Sequence, residues 1–352
     1  MTRRALTLIV AGFLTLALAV GGALLPVPYV VLSPGPTENT LGDVKGKPVI
    51  NVEGRQTYPT SGQLSLVTVA YQGGPGNRIG LLTALRGWFD NTIAVVPEET
   101  IFPRERTVKQ VEEENTAEMA GSQETATAAA LNQLQIPVKN VIKVSTTEKG
   151  SPAEGKLKPG DVIVAVDQVP TADTTAVATA VQKHKPGEQV VFTVQSKTGE
   201  DGKTGETEVP ITTIAGPDGK AIVGVRMGMS YEFPFKVNFS VGDVGGPSAG
   251  LMFSLGIYDK LTPGPLTGGK AIAGTGTMEP GGKVGPIGGI EQKMVGARKA
   301  GATIFLTPAA NCAAAVGAVP DGLRLVKVET LDGAIKALDA LRTGSGTVPA
   351  CS

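Results

Sequence analysis

Imidazole is nearly missing from this chain: one histidine, His184, stands among 352 residues. Histidine-based hydrolysis would have to run through that residue. No clustered Cys/His spacing of the metal-binding kind occurs, so no metal site is expected. Aromatic residues make up 4% of the chain, and Trp88 is the only tryptophan, read as a packing residue rather than a ligand platform. The formal net charge is zero, which argues against nucleic acid as a partner. The stretch Gly264-Pro265-Leu266-Thr267-Gly268-Gly269-Lys270-Ala271 nearly spells a phosphate-binding loop. Its last position needs a Ser or Thr hydroxyl for magnesium, and Ala271 has none. No nucleotide or other cofactor is therefore implied.

What the chain does contain is enough apolar residue, 41%, for two or three domains with true cores. Arg3 and Arg4 precede an uncharged run from Ala5 to Leu25. A bilayer span needs ~20 such residues, and flanking arginines stay cytoplasmic. The expectation is a single-pass plasma-membrane anchor over 5–25, a cytoplasmic tail over 1–4 and everything later outside the cytoplasm. The competing reading is a cleaved signal peptide, whose apolar core is shorter, about 7–15 residues. Ser33-Pro34-Gly35-Pro36 reads as part of a stiff linker over 26–44. Gln63–Tyr71 alternates like a strand. The segment 79–89 reads as a helix or a membrane-proximal patch, 97–103 as a break, and Glu112–Glu114 as a solvated face. Glu118–Leu134 is a helix with an alanine-rich stripe. Cys312 and Cys351 both fall on the outer side, where an oxidising compartment favours a disulfide between them. Two unrelated thiols are the alternative.

The chemistry concentrates in residues 242–301. Gly245, Gly246 and Pro247 mark a tight bend and a helix start before Ser248. A serine there sits near unpaired backbone N–H groups that could hold an oxyanion. Leu251–Ile257 continues as a buried helix. A second helix, from about Ile290 to Ala300, carries Ile290, Met294, Ala297 and Ala300 in one stripe, and Lys293 lies within it. A lysine aimed at a core loses proton affinity, and a neutral amine near a serine hydroxyl is a general base. A helix-start serine and a lysine snorkelling to water are the bland readings of the same two residues.

These residues resemble the proteolytic domain of the Lon family of serine proteases. Gly246-Pro247-Ser248-Ala249-Gly250 is similar to the family's nucleophile motif. Pro286-Ile287-Gly288-Gly289-Ile290-Glu291-Gln292-Lys293 is similar to its lysine motif, 45 residues beyond the serine. The resemblance implies Ser248 as nucleophile, Lys293 as base and Thr275 as support near the lysine amine, with backbone N–H groups around Gly246 to Ala249 holding the oxyanion. One position departs from the family, which commonly has an acid three residues before the serine; Gly245 stands there, and Asp243 is offset by two.

Residues 136–214 resemble a PDZ domain. Ser151-Pro152-Ala153 and Leu157-Lys158-Pro159-Gly160-Asp161-Val162-Ile163-Val164-Ala165-Val166 carry the likeness. Asp173–His184 reads as an amphipathic helix, Gln189–Gln195 as a strand, and 199–205 as a charged hairpin tip. No glycine-flanked apolar quartet marks a carboxylate-binding loop, and His184 reads as structural or exposed. The expected fold class is α+β: an N-terminal transmembrane helix, then a PDZ-like β-rich domain inserted in a Lon-type proteolytic domain. The latter's first part is 45–135 and its catalytic part 220–345, with a tail over 346–352. The whole resembles the membrane-bound PDZ-Lon proteases of Gram-positive bacteria. That implies an ATP-independent serine endopeptidase acting on extracytoplasmic peptides or on unfolded or small membrane proteins, with the PDZ domain docking or gating substrate. The alternative is an inactive PDZ adaptor or a ring-forming scaffold. The expected partners are protein or peptide substrates, some membrane-tethered, and the lipid bilayer through residues 5–25, with a homo-oligomer left open.

Overall fold

The computed structural model describes residues 3–198, 203–242 and 244–352. The chain folds as two compact units, one from residues 1–136 and 235–352, the other from 137–234. The expected hairpin tip over 199–205 lies mostly outside the described residues, as does Asp243.

In the first unit, a six-stranded mixed sheet carries the architecture. Its order is Arg324–Val328, Ile304–Pro308, Ala271–Gly274, Gln63–Gly73, Tyr29–Asn39 and Ala94–Pro97. The first four strands run parallel, and the last two pairings are antiparallel. The parallel strands read as near-continuous apolar runs, IFLTP being buried at every position, because both of their faces are covered. The helix Gly250–Leu261 is buried on nearly all sides, with Leu251, Met252, Phe253, Leu255 and Ile257 fully enclosed. That is why its sequence has no polar face. It packs against the long helix Val108–Gln133 through the small residues Ala126, Ala129 and Ala130. Ser254 Oγ satisfies itself across that contact by donating to the Ala126 carbonyl, 3.1 Å away. Thr107 starts the long helix with a capping box to Gln110. Glu112–Glu114 are solvated, as expected, and Glu113 and Glu114 pair with Lys109 and Arg106.

One expectation about this unit needs correction. Residues 26–44 are not a linker, since Tyr29–Asn39 is a strand inside the sheet. Its prolines are tolerated because pairing with Gln63–Gly73 shifts register between Pro34 and Thr37, while pairing with Ala94–Pro97 stops at Leu32. The missing N–H groups thus fall where a ladder bond is dispensable. Gly35 is needed for the close approach, since a Cβ there would lie 2.3 Å from Thr68 Oγ1. The tail over 346–352 is tied back by the disulfide that the sequence favours. Cys351 is disulfide-bonded to Cys312, and Lys327 N donates to the Pro349 carbonyl at 3.0 Å.

The helix Arg3–Ala23 is long and apolar enough to cross a membrane, and none of its described residues is buried. It is a candidate span by length and composition.

The second unit is a six-stranded sheet around its own core of Ile142, Val166, Val177, Phe192 and Ile211, among others. Helix Thr174–Gln182 is capped by Asp173 and buries Val177 and Val181. His184 is structural: its Nε2 lies 2.7 Å from Asp167 Oδ2. The unit ends at Pro234 rather than 214, because Val225–Glu232 pairs antiparallel with Lys139–Thr147. That strand is half exposed and contains Gly228, so its own hydrophobic pattern does not announce the long-range pairing.

The Cys312–Cys351 bond closes a loop of 39 residues. Cys351→Ser is expected to cost about 2–4 kcal/mol of unfolding free energy. Urea unfolding with and without reductant measures it: reductant should lower the parent's midpoint and leave the variant's unchanged.

Candidate active site

Ser248 sits in the turn just before helix Gly250–Leu261 rather than within it. The turn is built by Gly246, whose φ of 85° lies in the left-handed region. Two opposing contacts hold it. From one side, Ser122 on the long helix donates to the Pro247 carbonyl at 3.0 Å. From the other, the Ser248 carbonyl accepts from Gly276 N at 2.9 Å and from Thr275 Oγ1 at 3.0 Å. The backbone at the candidate nucleophile is therefore fixed by residues far apart in sequence.

Lys293 lies on helix Ile290–Lys299, with Ile290, Met294 and Ala297 buried beside it. Ala300 caps the helix and is exposed, so the buried stripe ends at Ala297. Gly289 starts the helix at φ 67°, and a Cβ there would meet Val69 Cγ2 at 2.7 Å. Only glycine lets this helix approach the strand Gln63–Gly73 so closely. Lys293 is 4% exposed, and its Nζ donates to Thr275 Oγ1 at 3.3 Å. Thr275 thus uses its hydroxyl twice, as acceptor from the amine and as donor to Ser248 O.

Ser248 and Lys293 line one cleft of about 570 Å³, together with apolar residues such as Leu66, Val67, Val69, Met119 and Val244. Lys293 is the only charged side chain among its described lining residues. Nothing there offsets the loss of hydration, and burial lowers the ammonium pKa from 10.5 to about 8. About a tenth of the population is then neutral at pH 7, rising to half near pH 8. The lowered value means that base function strengthens as pH rises. A neutral amine can donate one N–H to Thr275 and keep its lone pair for a serine proton. Among the described residues no hydrogen bond joins the Ser248 and Lys293 side chains. Catalytic contacts often tighten only with substrate bound.

The expected oxyanion donors need one correction. Gly246 N is engaged with the Asn115 carbonyl at 2.9 Å, so its role is the turn. The Ser248 and Ala249 N–H groups have no acceptor among the described residues and remain the candidates. Asn115 and Ser122 were not singled out from the sequence; they lie on a helix more than 100 residues upstream of the turn, and no local pattern marks them. A Cβ at Gly245 would come within 2.8 Å of Asn115 Cβ, so this turn has no room for an acidic side chain. No groups of metal-ligating side chains occur among the described residues.

Two parts of the chain match known domain families. Residues 239–340 match the family model of the Lon protease (S16) C-terminal proteolytic domain, and residues 108–211 match that of the PDZ domain. The latter match begins in the long helix of the first unit and stops before the strand Val225–Glu232. The chain is 32% identical over 106 residues to Lon protease 2 of Bacillus subtilis (strain 168), covering 30% of this chain and 19% of that protein. It is 34% identical over 91 residues to the Lon protease of Clostridioides difficile (strain 630), covering 25% and 11%. The chain thus spans less than a fifth of the length of these relatives. Among solved structures, the PDZ domain of the SdrC-like protein from Listeria innocua aligns at 21% identity and a TM-score of 0.21, over 25% of this chain and 92% of that one.

Thr275→Val keeps the shape and removes the hydroxyl that links amine to turn. The loss of one such bond is worth about 1–3 kcal/mol. The expected result is a folded protein whose Ser248 reacts with a fluorophosphonate probe about 10- to 100-fold more slowly. An unchanged labelling rate would remove Thr275 from the site.

Proposed function

We propose, for a chain that carries a PDZ domain and a Lon-type proteolytic domain, a membrane-anchored serine endopeptidase that works without ATP. The observation that carries this reading is a water-excluded lysine amine, lowered to about 8, in the same cleft as a serine on a tightly held turn. Lys293 Nζ takes the Ser248 hydroxyl proton as Oγ bonds to the scissile carbonyl carbon. The Ser248 and Ala249 N–H groups hold the oxyanion. As the carbon–nitrogen bond breaks, Lys293 returns the proton to the leaving amine. Water, deprotonated by the same amine, then hydrolyses the acyl-enzyme.

The cleft suggests how a peptide lies. The strand Gln63–Gly73 pairs with Ala271–Gly274 only as far as Leu66. Beyond that point, among the described residues, it has a sheet partner on one side only, and Val67–Tyr71 line the cleft. An extended chain can add along this edge and present its carbonyl to Ser248. That geometry favours loose tails and unfolded segments over folded domains. The near-match to a phosphate-binding loop ends in Ala271, which supports a reaction without nucleotide. In the PDZ unit, Val225–Glu232 is the last strand of its sheet and contacts helix Thr174–Gln182, with Gly224 at φ 71° leading into it. Its place at the end of the described sheet order supports a second peptide-docking role beside Val225–Met229, for holding substrate. The candidate span Arg3–Ala23 supports extracytoplasmic placement of the site at a membrane surface, where small membrane-tethered proteins would be within reach.

The test is cleavage of an unstructured protein by the full chain in lipid vesicles. Ser248→Ala and Lys293→Met should each lower the rate by about 10⁴-fold or more while leaving substrate binding intact. A tightly folded protein should be cut far more slowly than its unfolded form. Variants that cut as fast as the parent would remove Ser248 and Lys293 from the chemistry, and a parent that binds the unstructured protein without cutting it would leave the chain an adaptor.

A further inference from the structure

The helix Leu81–Trp88 is built inside out. Ala84 and Gly87 face the protein, and a Cβ on Gly87 would come 2.4 Å from Val95 Cγ2. The opposite face should be polar on a soluble surface helix. Here it carries Leu82, Leu85 and Phe89, which are 43%, 38% and 87% exposed. These three stand at helical spacing in a single stripe. Trp88 flanks it at 52% exposed, with its ring set edge-on to Tyr29 at 5.6 Å. Arg86 lies on the same side, exposed, and has no ion-pair partner among the described residues. Alanine and glycine inward with leucine and phenylalanine outward is the reverse of what water selects.

The position of this helix says what covers it. Arg3–Ala23 ends just before Leu24 and Leu25, both exposed. The Leu25 carbonyl accepts a hydrogen bond from Leu81 N at 2.9 Å, and Pro26–Val27 pairs antiparallel with Ile79–Gly80. The second helix is thus fastened by its first residue to the exit of the first. If Arg3–Ala23 crosses the hydrocarbon, Leu81–Trp88 is held at the level of the lipid headgroups. Tryptophan, phenylalanine and an unpaired arginine beside leucines are the side chains that this layer accepts.

We infer that the Leu82–Leu85–Phe89 stripe, with Trp88, is a second membrane contact. It lies in the outer face of the bilayer beside the span, with its apolar side chains sunk about 5–10 Å into the headgroup and acyl boundary. This inference rests on the reading of Arg3–Ala23 as a span. It adds that the first unit is not suspended from a single helix but seated on lipid through a surface that fixes its tilt.

Trp88, the only tryptophan in the chain, is a built-in probe. The full chain is reconstituted in phosphatidylcholine vesicles, floated on a density gradient, and its emission is read with acyl-chain-brominated lipid and with aqueous acrylamide as quenchers. The expected result is co-flotation, a blue-shifted emission, strong quenching by bromine and weak quenching by acrylamide. In the Leu82→Ser, Phe89→Ser double variant the chain should still float, while quenching by acrylamide rises roughly twofold. Co-flotation with Trp88 as open to acrylamide as a free tryptophan derivative would overturn the inference alone, leaving a protein partner or a second copy to cover the stripe. Bromine quenching unchanged in the double variant would overturn it too, since the contact would then belong to the span. A chain that fails to float removes the anchor, and this inference with it.

Discussion

A lysine amine kept from water, with no carboxylate among the described residues that line its cleft, is the constraint on which the site depends. Such an ammonium gives up part of its proton affinity because nothing replaces its hydration. The environment of Lys293 is arranged to that end: Ile290, Met294 and Ala297 beside it on the helix, apolar strand residues across the cleft, and the neutral Thr275 hydroxyl as its hydrogen-bond acceptor. An acid in the turn at Gly245 would restore the charge, and the contact with Asn115 leaves no room for one there.

The same constraint explains the unusual backbone economy. Glycine at 245 and 289 allows closer approach to Asn115 and Val69 than a side chain permits, and glycine at 246 gives the turn its left-handed backbone. The turn holding Ser248 is clamped between the long helix Val108–Gln133, which precedes the 137–234 unit in the chain, and the strand end at Thr275–Gly276, which follows it. The site therefore exists only when both parts of the first unit have come together. An inserted domain is compatible with this because the core uniting the two parts is continuous, running from Leu64 and Ala126 through Phe253 to Leu338.

Much of the site could be read in the sequence, because its chemistry is local. The turn before Ser248 is announced by Gly-Pro, and Lys293 interrupts an apolar stripe. The α+β class and the PDZ-like unit were likewise marked by turns and strands of ordinary pattern. What escaped was long-range. Tyr29–Asn39 looked like a linker because prolines usually forbid strands, and only the register shift opposite Thr68 makes room for them. Val225–Glu232 belongs to the PDZ-like unit by pairing across more than 70 residues, which its own composition does not signal. Gly246 looked like an oxyanion donor until Asn115 was seen to take its N–H. In each case the deciding partner lies far along the chain, where periodicity and motif carry no information.

The claim that Lys293 is a base rests on its proton affinity, so the most direct measurement is its titration. NMR of side-chain-labelled lysine in the Ser248→Ala protein, with Lys293→Met to assign the signal, reads that value without any assay of turnover. The account predicts a midpoint near 8, as burial without a compensating carboxylate requires. A midpoint at the ordinary lysine value of 10.5 would mean that the amine stays charged in the cleft, and would contradict the account.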